Sequence, residues 1–151
     1  MKAHYLRLFA YEAWANAKIL KALEQLPEMD MRCLELFSHL ITAQAVWFTR
    51  VQRNQQYLPL WEIHSLEKCK QDLLKNQNDW MEYLQNTTDE SYEQFIAYKN
   101  TQGEDFTTAL KDILTHLINH ATYHRGQIVA QMKGKIPELP STDFIFFTRE
   151  K

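Results

Sequence analysis

Chain breakers are scarce in this sequence, with 3 glycines and 4 prolines in 151 residues. That scarcity argues against folds assembled from many short strands and tight turns, and it leaves long uninterrupted segments. Cysteine is scarcer still. Cys33 and Cys69 are too few for a disulfide framework and too far apart for a zinc knuckle or redox pair, so both are expected to be reduced and buried. Charge of one sign is also missing: 17 basic residues against 19 acidic give a net of −2 and no block of like charge. No nucleic-acid or anionic-membrane partner is expected on that balance. The opening stretch MKAHYLRLFAYEAWANAKIL interrupts its apolar residues with His4, Arg7, Glu12, Asn16 and Lys18. Neither a signal-peptide core nor a membrane span is read there, and a cytoplasmic protein is the expectation.

The sequence does have apolar residues enough for a core, 45% hydrophobic and 13% aromatic, and its length suits one domain over residues 1–151. From about Tyr5 to Leu26, Leu8, Trp14, Ala15, Ile19, Leu23 and Leu26 recur at helical spacing, and Pro27 ends the run. A second helix is expected from about Asp30 to Gln52, with Leu36, Phe37, Leu40, Ala43, Trp47 and Val51 on its apolar side. A loop around Pro59 follows, and Ser65 opens a third helix whose apolar positions include Cys69, Leu73, Trp80 and Leu84. FIAY and DFTT then have strand-like composition and flank a turn around Gly103, which predicts a short hairpin or extended crossover. A last long helix is expected over about Thr107 to Lys133, stopped by Gly134, and the FIFF of the irregular tail should pack onto the bundle. The fold class is all-α: a four-helix bundle with an extended segment before the last helix.

Bundles build metal and ligand sites from inward side chains on facing helices, which directs attention to the histidines. In THLINHATYHRGQ, His116, His120 and His124 follow one another at intervals of four residues. On a helix each step turns the side chain by about 40°, so they form one slanting stripe. Measured against the apolar arc of Ile113, Leu114, Leu117, Ile118, Ala121, Ile128, Val129 and Met132, His124 leans furthest inward. His120 sits at its shoulder, and His116 is nearer solvent. A metal site needs a third ligand from another helix. His39, on the edge of the second helix's apolar arc, is the better choice; His64 at a loop boundary and His4 at the amino end read as surface residues.

The same residues carry a resemblance. FAYEAWANAKILKAL, SHLITAQAVWFTRVQ and especially NHATYHRGQ, followed by a proline-containing tail with Asp143, resemble the DinB-like (DinB/YfiT) family of four-helix-bundle metal proteins over nearly the whole chain. The resemblance implies a divalent-metal triad of His39, His120 and His124, the set also reached from helix geometry. Three imidazoles suit Zn²⁺ or Ni²⁺ and leave a coordination position open. Relatives of this kind include transferases of low-molecular-weight thiols such as bacillithiol or mycothiol. The resemblance therefore implies thiol S-transfer to a small-molecule electrophile, and a homodimer. A metal-dependent hydrolase, or a non-catalytic metal-stabilised dimeric binding module, stand as alternatives.

Other residues admit two readings. Arg125 could hold a carboxylate or the thiol, or pair structurally on the opposite helix face. Gln44 could support a metal ligand or be buried against the backbone. Trp14, Trp47 and Tyr123 could wall a pocket or fill the core. Gly126, within the last helix, points to close helix packing or a dimer contact.

Overall fold

In the computed structural model, which describes residues 1–150, four long helices form the bundle. They are α1 (Lys2–Leu23), α2 (Met31–Val51), α3 (Leu66–Asn86) and α4 (Leu110–Met132). A 3₁₀ turn (Asp89–Glu93) and a hairpin of β1 (Phe95–Lys99) and β2 (Asp105–Ala109) precede α4, and a short α5 (Phe144–Phe147) ends the chain. The bundle packs chiefly as α2 against α4 and α1 against α3. No helix is long and apolar enough to cross a membrane.

Local chemistry sets the boundaries. Asp30 caps α2, its carboxylate accepting from the backbone N–H groups of Arg32 and Cys33 at 2.9 and 3.0 Å. Ser65 caps α3 through its hydroxyl, which accepts from Lys68 N–H at 3.2 Å. At the end of α2, Arg53 takes a left-handed conformation (φ 56°). Its N–H donates to Arg50 O and that of Asn54 to Thr49 O, both at 3.0 Å, which closes a Schellman motif and turns the chain out of the helix. The loop that follows returns along α2 and becomes part of the candidate site.

Three expected boundaries shift, the first being the start of α1, at Lys2 rather than about Tyr5. The first helix stops at Leu23, three residues before the expected Leu26, in a turn that precedes Pro27. The last helix begins at Leu110 rather than Thr107, because residues 107–109 pair antiparallel with residues 95–97 and stay extended. The hairpin itself takes the expected form, with Gly103 at φ 83° in its turn, where a side chain would be strained. Gly134 (φ 78°) follows α4 in the same way.

The core falls into two apolar clusters. One gathers Ile19, Leu23, Phe37, Leu40, Ile41, Ile128 and Met132; the other gathers Phe9, Trp80, Leu84, Leu110, Ile113 and Leu117. Between them lies a buried polar layer. Arg125, 1% exposed, presents a two-pronged contact to Glu12, Nη1 to Oε2 at 2.9 Å and Nη2 to Oε1 at 2.8 Å. It also donates to Asn16 Oδ1, Tyr11 Oη and Thr122 Oγ1. Burial works against both charges. The Glu12 carboxylate nonetheless holds the guanidinium above its ordinary pKa, while burial pushes Glu12 up against the pull of Arg125. Gln44 joins the layer by donating to Glu12 Oε2 at 3.4 Å. Arg125 thus takes its structural reading, whereas Gln44 takes neither of the two: it is buried, but its partner is the Glu12 carboxylate rather than a histidine or the backbone.

The tail packs as expected in part. Phe144 and Phe147 meet Tyr11, at 5.2 and 5.8 Å between ring centroids, while Ile145 is half exposed.

Candidate metal centre

His39 on α2 and His120 and His124 on α4 converge. The Nε2 atoms of His39 and His124 each lie 3.1 Å from Nε2 of His120, and one ligand atom from each of the three falls within 4.8 Å of the others. Nitrogens bound to one tetrahedral ion at about 2.0–2.1 Å stand roughly 3.3 Å apart, so the spacing suits such an ion. The order of burial along α4 follows the helical angles: His124 is buried, His120 half-buried and His116 exposed. His39 is buried. His4 is exposed, and neither it nor the half-buried His64 joins the group.

Hydrogen bonds on the far side of two rings fix which nitrogen faces inward. His39 Nδ1–H donates to the carbonyl oxygen of Leu60 at 2.9 Å. His124 Nδ1–H donates to Gln127 Oε1 at 2.7 Å, one helical turn on. Both Nε2 atoms are therefore left with lone pairs directed at His120. A neutral His120 has at most one proton at Nε2 with which to face them. The donor set accordingly fits a divalent ion, with Leu60 and Gln127 orienting the ligands from behind.

Electrostatics point the same way. Burial lowers the pKa of His39. Burial, and then the neighbouring His124, His39 and His116, lower that of His120 to about 3. At neutral pH these imidazoles are uncharged, the form that binds metal.

Trp61, half exposed at 51%, lies flat on His39 with ring centroids 3.7 Å apart and planes 5° from parallel. Tyr123, 64% exposed, stands beside His124 at 5.1 Å. Trp47 packs edge-on to His116. Tyr123 and Trp47 therefore flank the histidines, whereas Trp14 packs on Phe147, away from them. Among the described residues no carboxylate or thiolate joins the triad. Cys33 and Cys69 are buried elsewhere, and burial pushes the Cys33 thiol up to about 11 and raises that of Cys69. Gly126 meets no atom within 4 Å of where a Cβ would stand, so close packing inside the chain does not account for it. Asp143 only precedes α5 and makes no side-chain cap.

Three supports escape sequence reasoning. Leu60 and Trp61 come from an irregular loop with no periodicity to mark them. Gln127 is different: three residues after His124 on a helix, it falls on the same face and was open to inference from spacing.

A helical bundle with three histidines converging from two facing helices is the architecture of a bundle-type metal site. The sequence pattern of the DinB family matches residues 1–149, and the chain belongs to that family. It is similar to Protein DinB of Bacillus subtilis (strain 168), 23% identical over 169 residues, covering 95% of this chain and 94% of the relative.

Proposed function

We propose that this protein is a divalent-metal-dependent thiol S-transferase, with Zn²⁺ or Ni²⁺ held by His39, His120 and His124. The carrying observation is the convergence of three Nε2 atoms with no fourth protein ligand among the described residues. A divalent ion held there would favour the thiolate form of a thiol on its open side. The ligands' own part is positional. Leu60 and Gln127 keep the lone pairs of His39 and His124 facing inward, and Trp61 covers one face of His39.

In the net reaction a sulfur–carbon bond forms. The leaving group departs from the electrophilic carbon with its electron pair, and the thiol proton goes to solvent. The nucleophile must be supplied from outside, since both of the chain's cysteines are buried and their thiols held protonated. Reduced buried cysteines also suit a cytoplasmic setting. A homodimer belongs to the proposal, supported by the open space over Gly126 on an exposed turn of α4; sedimentation of wild type against Gly126→Arg tests it.

The experiment is elemental analysis of tag-free protein, followed by turnover of a chromogenic electrophile with a panel of small thiols. The expected result is about one ion per chain, thiol-dependent turnover, and loss of both in His39→Ala and His124→Ala. Turnover without any thiol would favour hydrolysis. Metal-loaded protein inert with every thiol would overturn transfer.

A further inference from the structure

Arg50 is buried, 7% exposed, yet no carboxylate among the described residues pairs with it. Its one side-chain hydrogen bond runs from Nη2 to the carbonyl oxygen of Lys99 at 3.1 Å. Nε is enclosed without a partner, and Nη1 donates to no described residue. Arginine does not discard its proton at accessible pH, so this position retains a positive charge with donor capacity unused. A buried charge left in that state is costly, and an unsatisfied group in a native interior calls for an explanation.

Aromatic packing supplies part of one. The guanidinium carbon lies 4.4 Å from the ring centre of Trp47 and 4.8 Å from that of Tyr98, and those two rings are themselves 4.8 Å apart. Three nearly equal separations describe a triangle rather than a sandwich. Both rings thus lie to one side of the guanidinium and leave its other side free of them. Cation–π contacts contribute roughly 0.5–2 kcal/mol and occupy no N–H donor.

Arg50 lines a groove of about 630 Å³, shared with Leu60, Tyr57, Tyr98, Lys99 and Asn100. The one other cation of that group, Lys99, is already paired with Asp105 at 2.6 Å. The groove reaches toward the histidine centre by two routes. Leu60 belongs to both, as a wall of the groove and as the carbonyl that holds His39. Trp47 links Arg50 to His116, which neighbours His120. On α2, Arg50 follows His39 by 11 residues. That spacing is about 16 Å of rise and only about 20° of rotation, so both project from one face of the helix.

We infer that the Arg50 groove is an oxyanion subsite that takes a carboxylate group of the small-molecule ligand whose other end reaches the histidine centre. This deepens the proposed function and names a substrate class for it: small anionic molecules long enough to span groove and centre. Planar carboxylate geometry suits the forked donors of a guanidinium held in a fixed corner.

The test uses succinate as probe, with inorganic phosphate and the uncharged analogue succinamide beside it, on the full chain freed of metal by chelator. Metal-free protein keeps the probe's carboxylates from being captured by an ion, and it separates this inference from the transferase reading. The readout is the ¹⁵N–H signals of Arg50 Nε and the Trp47 indole. Succinate is expected to shift both saturably with a Kd of about 1 mM or tighter. Arg50→Met should weaken it at least tenfold, Arg50→Lys should weaken it less, and succinamide should have no effect. Saturation with phosphate but not succinate would overturn the carboxylate assignment. No saturation by either anion up to about 50 mM, or equal affinity in Arg50→Lys and wild type, would overturn the subsite. If succinate binds but the protein takes up no metal, the transferase reading fails and the subsite stands.

Discussion

Trp61 covers His39 almost ring for ring, at 3.7 Å and 5°. With the Leu60 carbonyl gripping Nδ1 from the neighbouring position, the loop after α2 holds this ligand from two directions. The stack restrains rotation of the imidazole and limits water's access to it, and, lying on the ring face, it leaves the in-plane lone pair of Nε2 uncovered. Outer supports of this kind typically change metal affinity by 10–100-fold. Trp61→Ala is therefore expected to weaken Zn²⁺ binding by about tenfold without changing the stoichiometry, read by competition with a chromophoric chelator. Unchanged affinity would mean that the Leu60 hydrogen bond alone positions His39.

Metal binding should also register as stability. His39 stands on α2 and the other two histidines on α4, so a shared ion ties the two helices together. An ion that binds only the folded chain adds about 2.7 kcal/mol at a free concentration one hundred times its Kd. Zn²⁺ should raise the Tm of wild type and leave that of His124→Ala where it was. Equal Tm with Zn²⁺ and with chelator in wild type would count against the triad as a metal site.

What could be read from sequence followed from local rules. Periodicity marked the four helices, Asp30 and Ser65 stood at the expected starts of two of them, and the spacing of four residues ranked the α4 histidines by burial as the structure does. Long-range contacts were less accessible. Arg125 sits beside His124 in the sequence, but its partner Glu12 is 113 residues away, so helix geometry gave only the face it points to. Trp61 reaches His39 through a loop whose path depends on the left-handed turn at Arg53, a conformation that arginine rarely takes. The start of α4 depended on strand pairing with residues 95–97, which competes with helix formation at Thr107 and is invisible to a period count.

The Glu12–Arg125 pair gives a prediction about stability alone. Removing one member leaves the other as an uncompensated buried charge, at a cost of about 3–5 kcal/mol. Arg125→Met should lose stability in that range by urea unfolding. Glu12→Leu combined with Arg125→Met should recover most of the loss, because the remaining partners of Arg125 are neutral: Tyr11 still donates to the Thr142 carbonyl at 2.8 Å, and Asn16 carries no charge. A double variant as unstable as the single would show that the layer's neutral hydrogen bonds, rather than charge compensation, dominate.

The lowered pKa values of His39 and His120 set the direction of an acid response. For each, the folded chain disfavours the proton relative to an ordinary imidazole near 6.5, so the unfolded chain binds more protons once pH falls below that value. Their neutral forms favour folding fully above about pH 6.5. That contribution declines as pH falls and, for His120, is gone below its folded value of about 3. Chelated wild type should therefore lose Tm from about pH 6.5 downward, before ordinary carboxylates begin to titrate near pH 4. His120→Gln replaces the imidazole with a group that does not titrate. Its Tm should fall less steeply than wild type between pH 6 and 4.5, a window in which protons also compete with the metal for these nitrogens. Parallel slopes in the two proteins would place the source of acid sensitivity outside the histidine centre.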